Sequence, residues 1–507
     1  MKLIYDVSDK PSFGKTLLFA FQQMIAIMAA TLLVPMIVTG VGLEMDPAAA
    51  LFGAGAGTIV YLLFTKRKSP VFLGSSFTFL GAMQAAALQN YGYWGLILGA
   101  VFAGLVYVVV AIIIKLVGSG WVNKLLPACV IGPIVAIIGL SLSGTAIGWI
   151  MSNGLTVETG NVIVNAAGES SNQTVSAYNL LYILCGLVTF FAIVFTSIKG
   201  GKNLKLIPFI IGIGVGYVFA LILTGCGYLF QVELLKIIDF QPFIDTFGQI
   251  KFTSFFDYPK FTFLKAIQTN GQYPLDGGAI ANLALLFAPI GVVELAQHIA
   301  DHKNLSAIIE KDLIKEPGLT RTLLGDGIGS MVGGFFGGCE NTTYGESIGC
   351  VAITKNASTV SIFTAAIGCM VLSFFSPFVA VINSIPKCVM GGACIAMYGF
   401  IAVSGLQMLK KVDLGDNRNL FVVAAIFVTG IGGLAFNFGD NGMGGSAFSI
   451  TSIAAALIVG LITNLIVGKR PAEDDGTGII VDDEYPGDKE ETEEAAVTEA
   501  AQESMPE

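Results

Sequence analysis

The sequence offers little conventional chemistry, so the few residues that could perform it stand out. Glu294 lies in the run APIGVVELAQHIADH, inside an apolar stretch, and His298 follows four residues later. That spacing puts both side chains on one face of a helix. Pro289 precedes Glu294 by a little over one turn and frees a backbone carbonyl there. An ionisable residue at membrane depth is a functional candidate by default, although a glutamate and histidine near a helix end can also pair structurally. Glu346 follows the polar run NTTYG. A half-helix starting near Gly345 would turn its positive end and unpaired N–H groups toward that carboxylate. Two acceptor carboxylates beside free backbone donors suit an uncharged ligand that carries both N–H donors and carbonyl acceptors. An anion would be repelled, and a cation would leave the donors unused. Phe77 and Tyr344 could flank a flat ring or serve as plain core aromatics.

These residues must be positioned by membrane helices. Of 507 residues, 54% are hydrophobic and only 12% charged, about half the charge of a soluble domain. This excludes an ordinary soluble enzyme, a disordered protein and a nucleic-acid binder. Apolar runs of about 20 residues recur, each long enough to cross a bilayer. They fall near 15–38, 49–65, 71–89, 93–117, 125–149, 177–198 and 205–225. A second group falls near 278–300, 319–338, 340–355, 357–382, 386–409, 419–437 and 447–467. The segments near 71 and 340 open with polar, small residues, GSSFTF and NTTYGES, where an uninterrupted span would be apolar.

Lysine and arginine cluster at Lys10 and Lys15, Lys66 to Lys68, Lys115 and Lys124, Lys199 to Lys205, Lys303 to Arg321, Lys410 to Arg418, and Lys469 and Arg470. The positive-inside rule makes these loops cytoplasmic, with 14 spans and both termini inside. The four lysines of 226–276 depart mildly from it. The net charge of −9 comes from the tail: Pro471 to Glu507 holds 14 acidic residues and one lysine, leaving 26 basic against 22 acidic residues elsewhere. That tail reads as a solvated, disordered cytoplasmic segment. Eight cysteines without a CxxC pair and two histidines point to neither a disulfide framework nor a metal site, and no cofactor is implied. The N-terminus lacks a signal-peptide cleavage pattern.

The two halves repeat in order. LFGAGAGTIV from Leu51 matches LLGDGIGSMV from Leu323; Ser75-Ser76-Phe77 parallels Thr342-Thr343-Tyr344; Pro127 to Gly132 parallels Pro386 to Gly391. Seven spans per repeat is odd, so the second copy would run upside down, as in many secondary transporters. The expected organisation is a cytoplasmic N-terminus (1–14), a first repeat (15–225), an extracellular linker (226–276), a second inverted repeat (277–468) and the acidic tail (469–507).

GSSFTF, ELAQHIADH, NTTYGESIGCVAITK and PKCVMGGACIAMYG together resemble the nucleobase–ascorbate transporter family, near its bacterial uracil carriers, over about residues 10–468. The strongest motif spans Glu346, Gly349, Thr354 and Lys355. The resemblance implies an all-α polytopic fold of 14 transmembrane segments divided into core and gate domains, with short antiparallel strands interrupting spans 3 and 10. It implies that Glu294 and Glu346 bind the base, and that the backbone at Phe77 and Gly345 meets its carbonyls. Ser76, Tyr344 and Tyr398 would line the site, and His298 would belong to proton coupling together with Glu294. It further implies uracil import by proton symport at the cell membrane and a homodimer formed through the gate domain. Uracil has two N–H groups and two carbonyls, the pattern derived above. Glu346, where xanthine and urate carriers usually have glutamine, favours a pyrimidine. A purine carrier of the same family and an anion transporter on the same 7+7 plan are the alternatives. Two residues depart from the family pattern: Ser347 where asparagine is usual, and Gln22-Gln23 where Gln-His is common.

Overall fold

The computed structural model describes residues 3–118, 121–122, 126–151, 156–164, 170–176, 180–201, 204–273, 275–438 and 448–468. The acidic tail, Lys124, Lys202, Lys469 and Arg470 lie outside the described residues. The chain is mostly helical. It begins with α1 (Phe13–Thr39) and α2 (Pro47–Phe64), then strand β1 (Leu73–Ser75), α3 (Leu80–Leu88), α4 (Gly92–Val117), α5 (Ala128–Ser141) and α6 (Ser143–Met151). A hairpin of β2 (Thr156–Val164) and β3 (Ser170–Ser176) precedes α7 (Leu180–Lys199) and α8 (Pro208–Phe230). Two short helices, α9 (Gln241–Phe247) and α10 (Thr262–Gln268), lead to the long α11 (Gly277–Ile309). Then come α12 (Leu319–Gly337), β4 (Asn341–Thr343), α13 (Gly345–Thr354), α14 (Thr359–Leu372), α15 (Ser376–Asn383), α16 (Lys387–Met408) and α17 (Asn417–Ile431). The described chain ends with the β5–β6 pair (Phe436–Phe438 and Phe448–Ile450) and α18 (Ser452–Val467).

Among the described residues, eight helices are long and apolar enough to cross a membrane. Their outward faces are apolar as well. Phe191 and Phe195 on α7, Val218 and Ile222 on α8, and Phe421 and Val428 on α17 are exposed, as expected where the solvent is lipid. Helix starts follow local chemistry. Asp46 caps α2 by accepting from the Ala48 N–H at 2.9 Å, with Pro47 in the first helical position, and Asp276 caps α11 by accepting from the Ala279 N–H at 2.7 Å.

One expectation needs correction. The apolar run ends near residue 300, but α11 continues to Ile309. Its last turns carry the polar yet buried His302 and Ser306, whose groups find partners: the Ser306 hydroxyl donates to the His302 carbonyl at 2.6 Å and accepts from the Leu313 N–H at 3.0 Å. Hydropathy alone ends the span early, and Glu294 therefore sits mid-helix rather than near an end.

Glycines decide how closely the helices approach. A Cβ at Gly57 would lie 2.6 Å from the Gly329 carbonyl oxygen, and one at Gly329 would lie 2.9 Å from that of Gly57. At Gly104 it would stand 2.4 Å from the Gly327 carbonyl oxygen, and at Gly55 2.5 Å from that of Ala366. Helices α2, α4, α12 and α14 thus meet backbone to backbone. A separate set joins α5, α6 and α16: Gly132 faces the Gly405 carbonyl at 2.9 Å, and Gly391 faces that of Ala146 at 2.9 Å. Small residues in such contacts let membrane helices pack where hydrophobicity alone gives no preference for protein over lipid.

Gly104→Ala therefore forces apart two backbones that have no flexible side chain to yield, and it should destabilise the fold by about 1–3 kcal/mol. Gly148→Ala, where a Cβ meets no atom within 4 Å, is the matched control. Thermal unfolding of the purified protein in detergent should separate the two; equal midpoints would mean that the α4–α12 approach is not tight.

Candidate functional site

The site is built around a two-stranded ribbon. β1 pairs antiparallel with β4 in the register Leu73 with Thr343, Gly74 with Thr342 and Ser75 with Asn341. The ladder continues at both ends, where the Ser76 N–H donates to the Glu340 carbonyl at 2.8 Å and the Tyr344 N–H to that of Phe72 at 3.3 Å. Thr58 on α2 holds β1, its hydroxyl accepting from the Leu73 N–H at 2.9 Å. Asn341 donates to the Gly53 carbonyl at 3.1 Å, tying β4 to the same helix. Gly74 has no side chain because the Tyr344 ring occupies that place: a Cβ there would stand 2.4 Å from Tyr344 Cε2.

From this ribbon the sequence-predicted residues converge. The Ser76 hydroxyl donates to Glu294 Oε1 at 3.3 Å, joining β1 to α11, and both residues are buried. The Thr78 and Thr342 hydroxyls also lie against the Glu294 carboxylate. The Tyr344 hydroxyl donates to the Ser75 carbonyl at 2.6 Å. Phe77 meets Tyr398 of α16 edge to face, with ring centroids 6.2 Å apart, and the Tyr398 hydroxyl lies against the Cys394 thiol on the same helix. Gly345 opens α13, where a Cβ would meet no atom within 4 Å. Its N–H and those of Glu346 and Ser347 begin the helix and have no acceptor within it.

Glu346 is placed differently from Glu294. It is only partly buried and borders a crevice of about 140 Å³ lined by Ile25 and Ala26 of α1, Phe209 of α8, Gly349 and Lys205. No side-chain hydrogen bond joins the two glutamates, but Tyr344 and Asp301 each lie within electrostatic reach of both. A larger crevice, about 670 Å³, lies between the 241–260 segment and α15, and none of the sequence-predicted site residues lines it. Size does not select the site here; converging buried polar groups do.

The two departures from the family pattern meet each other. Gln23 Nε2 donates to Ser347 Oγ at 2.5 Å and to the Ser347 carbonyl at 3.2 Å, while the Phe72 N–H donates to the same Oγ at 3.0 Å. All three residues are buried. One hydroxyl thus pins α13 to α1 and to the residue entering β1.

His298 lies on α11 one turn beyond Glu294, with Nδ1 2.6 Å from Asp326 Oδ2 of α12. Sequence reasoning missed Asp326, hidden in a glycine-rich helix. It also missed His302, whose signal was the i, i+4 spacing within HIADH. The His302 ring lies 4.1 Å from that of His298 by centroids, its Nδ1 meets the His298 carbonyl at 2.8 Å, and its Nε2 meets the Tyr61 hydroxyl at 2.6 Å. Asp301 accepts from the Thr343 hydroxyl at 2.8 Å. Glu340 was missed too: it is fully buried, with neither carboxyl oxygen partnered by protein. Among the described residues, no group of three histidine, cysteine or acidic side chains could hold a metal ion.

The sequence pattern of the Permease family matches residues 14–438. The uracil permease of Bacillus caldolyticus is 37% identical over 93% of this chain and 96% of its own. The uracil permease of Bacillus subtilis (strain 168) is 33% identical over 93% and 97%, and that of Escherichia coli (strain K12) 32% over 92% and 95%. Solved structures share the fold at much lower identity. The transmembrane domain of the cyanobacterial bicarbonate transporter BicA aligns with a TM-score of 0.55 and 15% identity, covering 91% of this chain and all of that one. SLC26A9 aligns at 0.54 and 12%, covering 89% and 64%. The chain belongs to the nucleobase–ascorbate transporter family of permeases; it is a multi-pass membrane transporter and not an enzyme.

Ser347→Ala strips an acceptor from two buried donors, the Gln23 amide and the Phe72 N–H, and should destabilise by about 1–3 kcal/mol. If the contact holds α13 in place, Gln23→Ala combined with Ser347→Ala should be non-additive by about 0.5–3 kcal/mol in a double-mutant cycle on unfolding. Strict additivity would show that the two departures are independent.

Proposed function

We propose that this permease imports uracil together with a proton, binding the base near the membrane midplane between the interrupted segments at β1 and β4 and helix α11. The observation that carries this reading is the buried Glu294 carboxylate, met only by neutral hydroxyls, Ser76 at 3.3 Å with Thr78 and Thr342 beside it, near a helix start open at Gly345. A carboxylate oxygen accepts from a ring N–H; helix N–H groups donate to ring carbonyls. The relatives named uracil permeases support the same base. Glu346, across Tyr344 from Glu294, is the second acceptor. Phe77 and Tyr398 close the site against α16, while Ser76 and Tyr344 set its wall. Glu294, with His298 behind it, carries the coupling proton.

The 14-span inverted repeat, with repeats at 15–225 and 277–468 joined by an extracellular linker, belongs to the same reading. The contacts support it, because they exchange under the repeat. Gly57 and Gly329 are equivalent positions and face each other, and the Gly53–Gly333 approach is mirrored by Gly325 against Tyr61. Gly132 on Gly405 has its counterpart in Gly391 on Ala146. A two-fold axis in the membrane plane produces such swapped pairs. We place both termini in the cytoplasm of a cell-membrane protein, with the acidic tail following the last span. A homodimer through the lipid-facing gate helices completes the proposal.

Radiolabelled uptake into proteoliposomes, challenged with a panel of pyrimidines, purines and anions, tests the substrate. Glu346→Gln replaces one acceptor oxygen with a donor and should cut uracil transport roughly tenfold or more, the loss expected when a buried hydrogen-bonding site meets a mismatched group. Undiminished transport would remove Glu346 from the site. Glu294→Gln should abolish accumulation driven by a pH gradient and leave any residual transport less sensitive to pH. Wild-type accumulation by this variant would move the coupling group elsewhere.

Topology has its own test. A cysteine placed in 155–170 should react with an impermeant thiol reagent outside sealed cells, while one between Lys311 and Lys315 should not. Cys226, the one native cysteine that is not buried, is replaced first. Outside labelling of the second probe would overturn the inverted arrangement.

A further inference from the structure

Two of the eight cysteines meet across a helix contact that the proposed transport site does not use. Cys185 is the sixth residue of α7 and Cys388 the second of α16, and both are buried. The two helices cross there with no side chain between their backbones. A Cβ at Gly392 would stand 2.2 Å from the Gly186 carbonyl oxygen, and one at Gly186 would stand 3.1 Å from that of Cys388. Cys185 and Thr189 share one face of α7, and Cys388 and Gly392 share one face of α16. These faces look at each other, because the Thr189 Cβ lies 2.9 Å from where a Gly392 Cβ would be. The two thiols accordingly hydrogen-bond to each other. A disulfide needs close backbones and side chains that converge, and the glycine crossing and the facing cysteines supply both.

A crevice leads to the pair. Tyr182, one turn before Cys185 on α7, lies against both thiols. It is half-buried and lines a crevice of about 520 Å³ whose other walls include Ile237, Asp239 and Lys387, the chain neighbour of Cys388. In the topology proposed above, the linker and the starts of α7 and α16 face outward. The crevice then opens to the side of the membrane where disulfides form and persist.

We propose that Cys185 and Cys388 are a modification site, a dithiol that exchanges with small disulfides of the external medium and closes into a bond fastening α7 to α16. One thiol of the pair, as thiolate, attacks a sulfur of the external disulfide and expels the other half of that molecule as a thiolate. The neighbouring S–H, donating to the attacking sulfur, helps to hold its negative charge. The second cysteine then loses its proton and attacks the first cysteine's sulfur in the mixed disulfide, expelling the remaining half. One S–S bond forms within the protein and one breaks in the external molecule. The pair loses two electrons, the external disulfide gains them, and the two thiol protons end on the two released thiols. The outward placement rests on the proposed topology, whereas the meeting of the thiols does not.

The test uses the purified full chain in detergent, with Cys226→Ser to keep the more exposed thiol out of the exchange. The protein is treated with oxidised glutathione or with the smaller oxidant diamide. Remaining thiols are then alkylated in denaturant and the peptides are read by mass spectrometry. A peptide linking 185 to 388 should form, disappear with dithiothreitol and be absent from Cys185→Ala and from Cys388→Ala. The bond closes a loop of about 200 residues and should raise the thermal midpoint by roughly 2–5 °C in the parent but in neither alanine variant. Full alkylation of both cysteines after both oxidants would overturn the proposal. Oxidised glutathione added outside sealed cells should produce the same linkage. Linkage in detergent but never in sealed cells would overturn the outward placement and count against the topology, leaving the pair itself established.

Discussion

Hydrocarbon offers no partner for a backbone N–H or carbonyl, and two short segments of this membrane protein are extended rather than helical, each followed by a short helix. Each satisfies the other. The three-residue strands at Leu73–Ser75 and Asn341–Thr343 pair antiparallel, and the ladder is carried further by Ser76 on Glu340 and Tyr344 on Phe72. The rest of the structure depends on this exchange. Non-helical backbone is tolerated at membrane depth only where protein buries it or a cavity is lined by it. The ribbon meets that condition, with all six strand residues buried. Breaking the helix also leaves α13 to begin at the exposed Gly345, with N-terminal N–H groups that an uninterrupted helix would have consumed.

Burying so short a ribbon requires helices that come unusually close to it, and here the glycines of α2, α4 and α12 act together. Gly57 and Gly329 touch backbone to backbone, and Gly333 leaves the space that the Asn341 amide fills. Asn341 uses that space to reach the Gly53 carbonyl. Glycine packing and ribbon anchoring are therefore one arrangement. The helices close up because they lack side chains, and the strand's own polar side chain plugs the seam. A side chain added at these glycines would act on the site through the ribbon, without touching any residue that faces a ligand.

The membrane nature and the family were legible in the sequence, because long apolar runs and the motif around Glu346 leave few alternatives. Glu294 and Ser76, 218 positions apart, are joined by a hydrogen bond that no local pattern encodes. What the sequence concealed follows from the way burial hides partners. Hydropathy ended α11 too early because it scores His302 and Ser306 as polar, whereas their hydrogen bonds make them interior residues. Asp326 was invisible inside a glycine-rich helix, since its importance lies in meeting His298, 28 residues away. Gln23 and Ser347 read as two separate departures from a family pattern, yet they form one contact. Pairwise complementarity across 324 positions cannot be read from either residue alone.

The energetic character of the site then follows from what is left unpaired. Burying a carboxylate is costly unless hydrogen bonds replace its water, and the protein sets only neutral hydroxyls around Glu294, that of Ser76 at 3.3 Å with those of Thr78 and Thr342 beside it. A fully satisfied Glu294 would be more stable and would have nothing to offer a ligand. In the proposed site, a carboxylate left short of donors would be relieved by any group that brings N–H donors, so part of the affinity would be the removal of a cost already built into the fold. In the proposed site the same imbalance would confer selectivity. A flat apolar ring would fill the space while leaving Glu294 Oε2 and the Gly345 end of α13 unpaired, and sites that expect hydrogen bonds reject such ligands far more strongly than apolar pockets reject a misfit. The ribbon, the glycine seams and the Gln23–Ser347 contact keep that imbalance fixed in place, since a looser scaffold would let Glu294 find stronger donors within the protein.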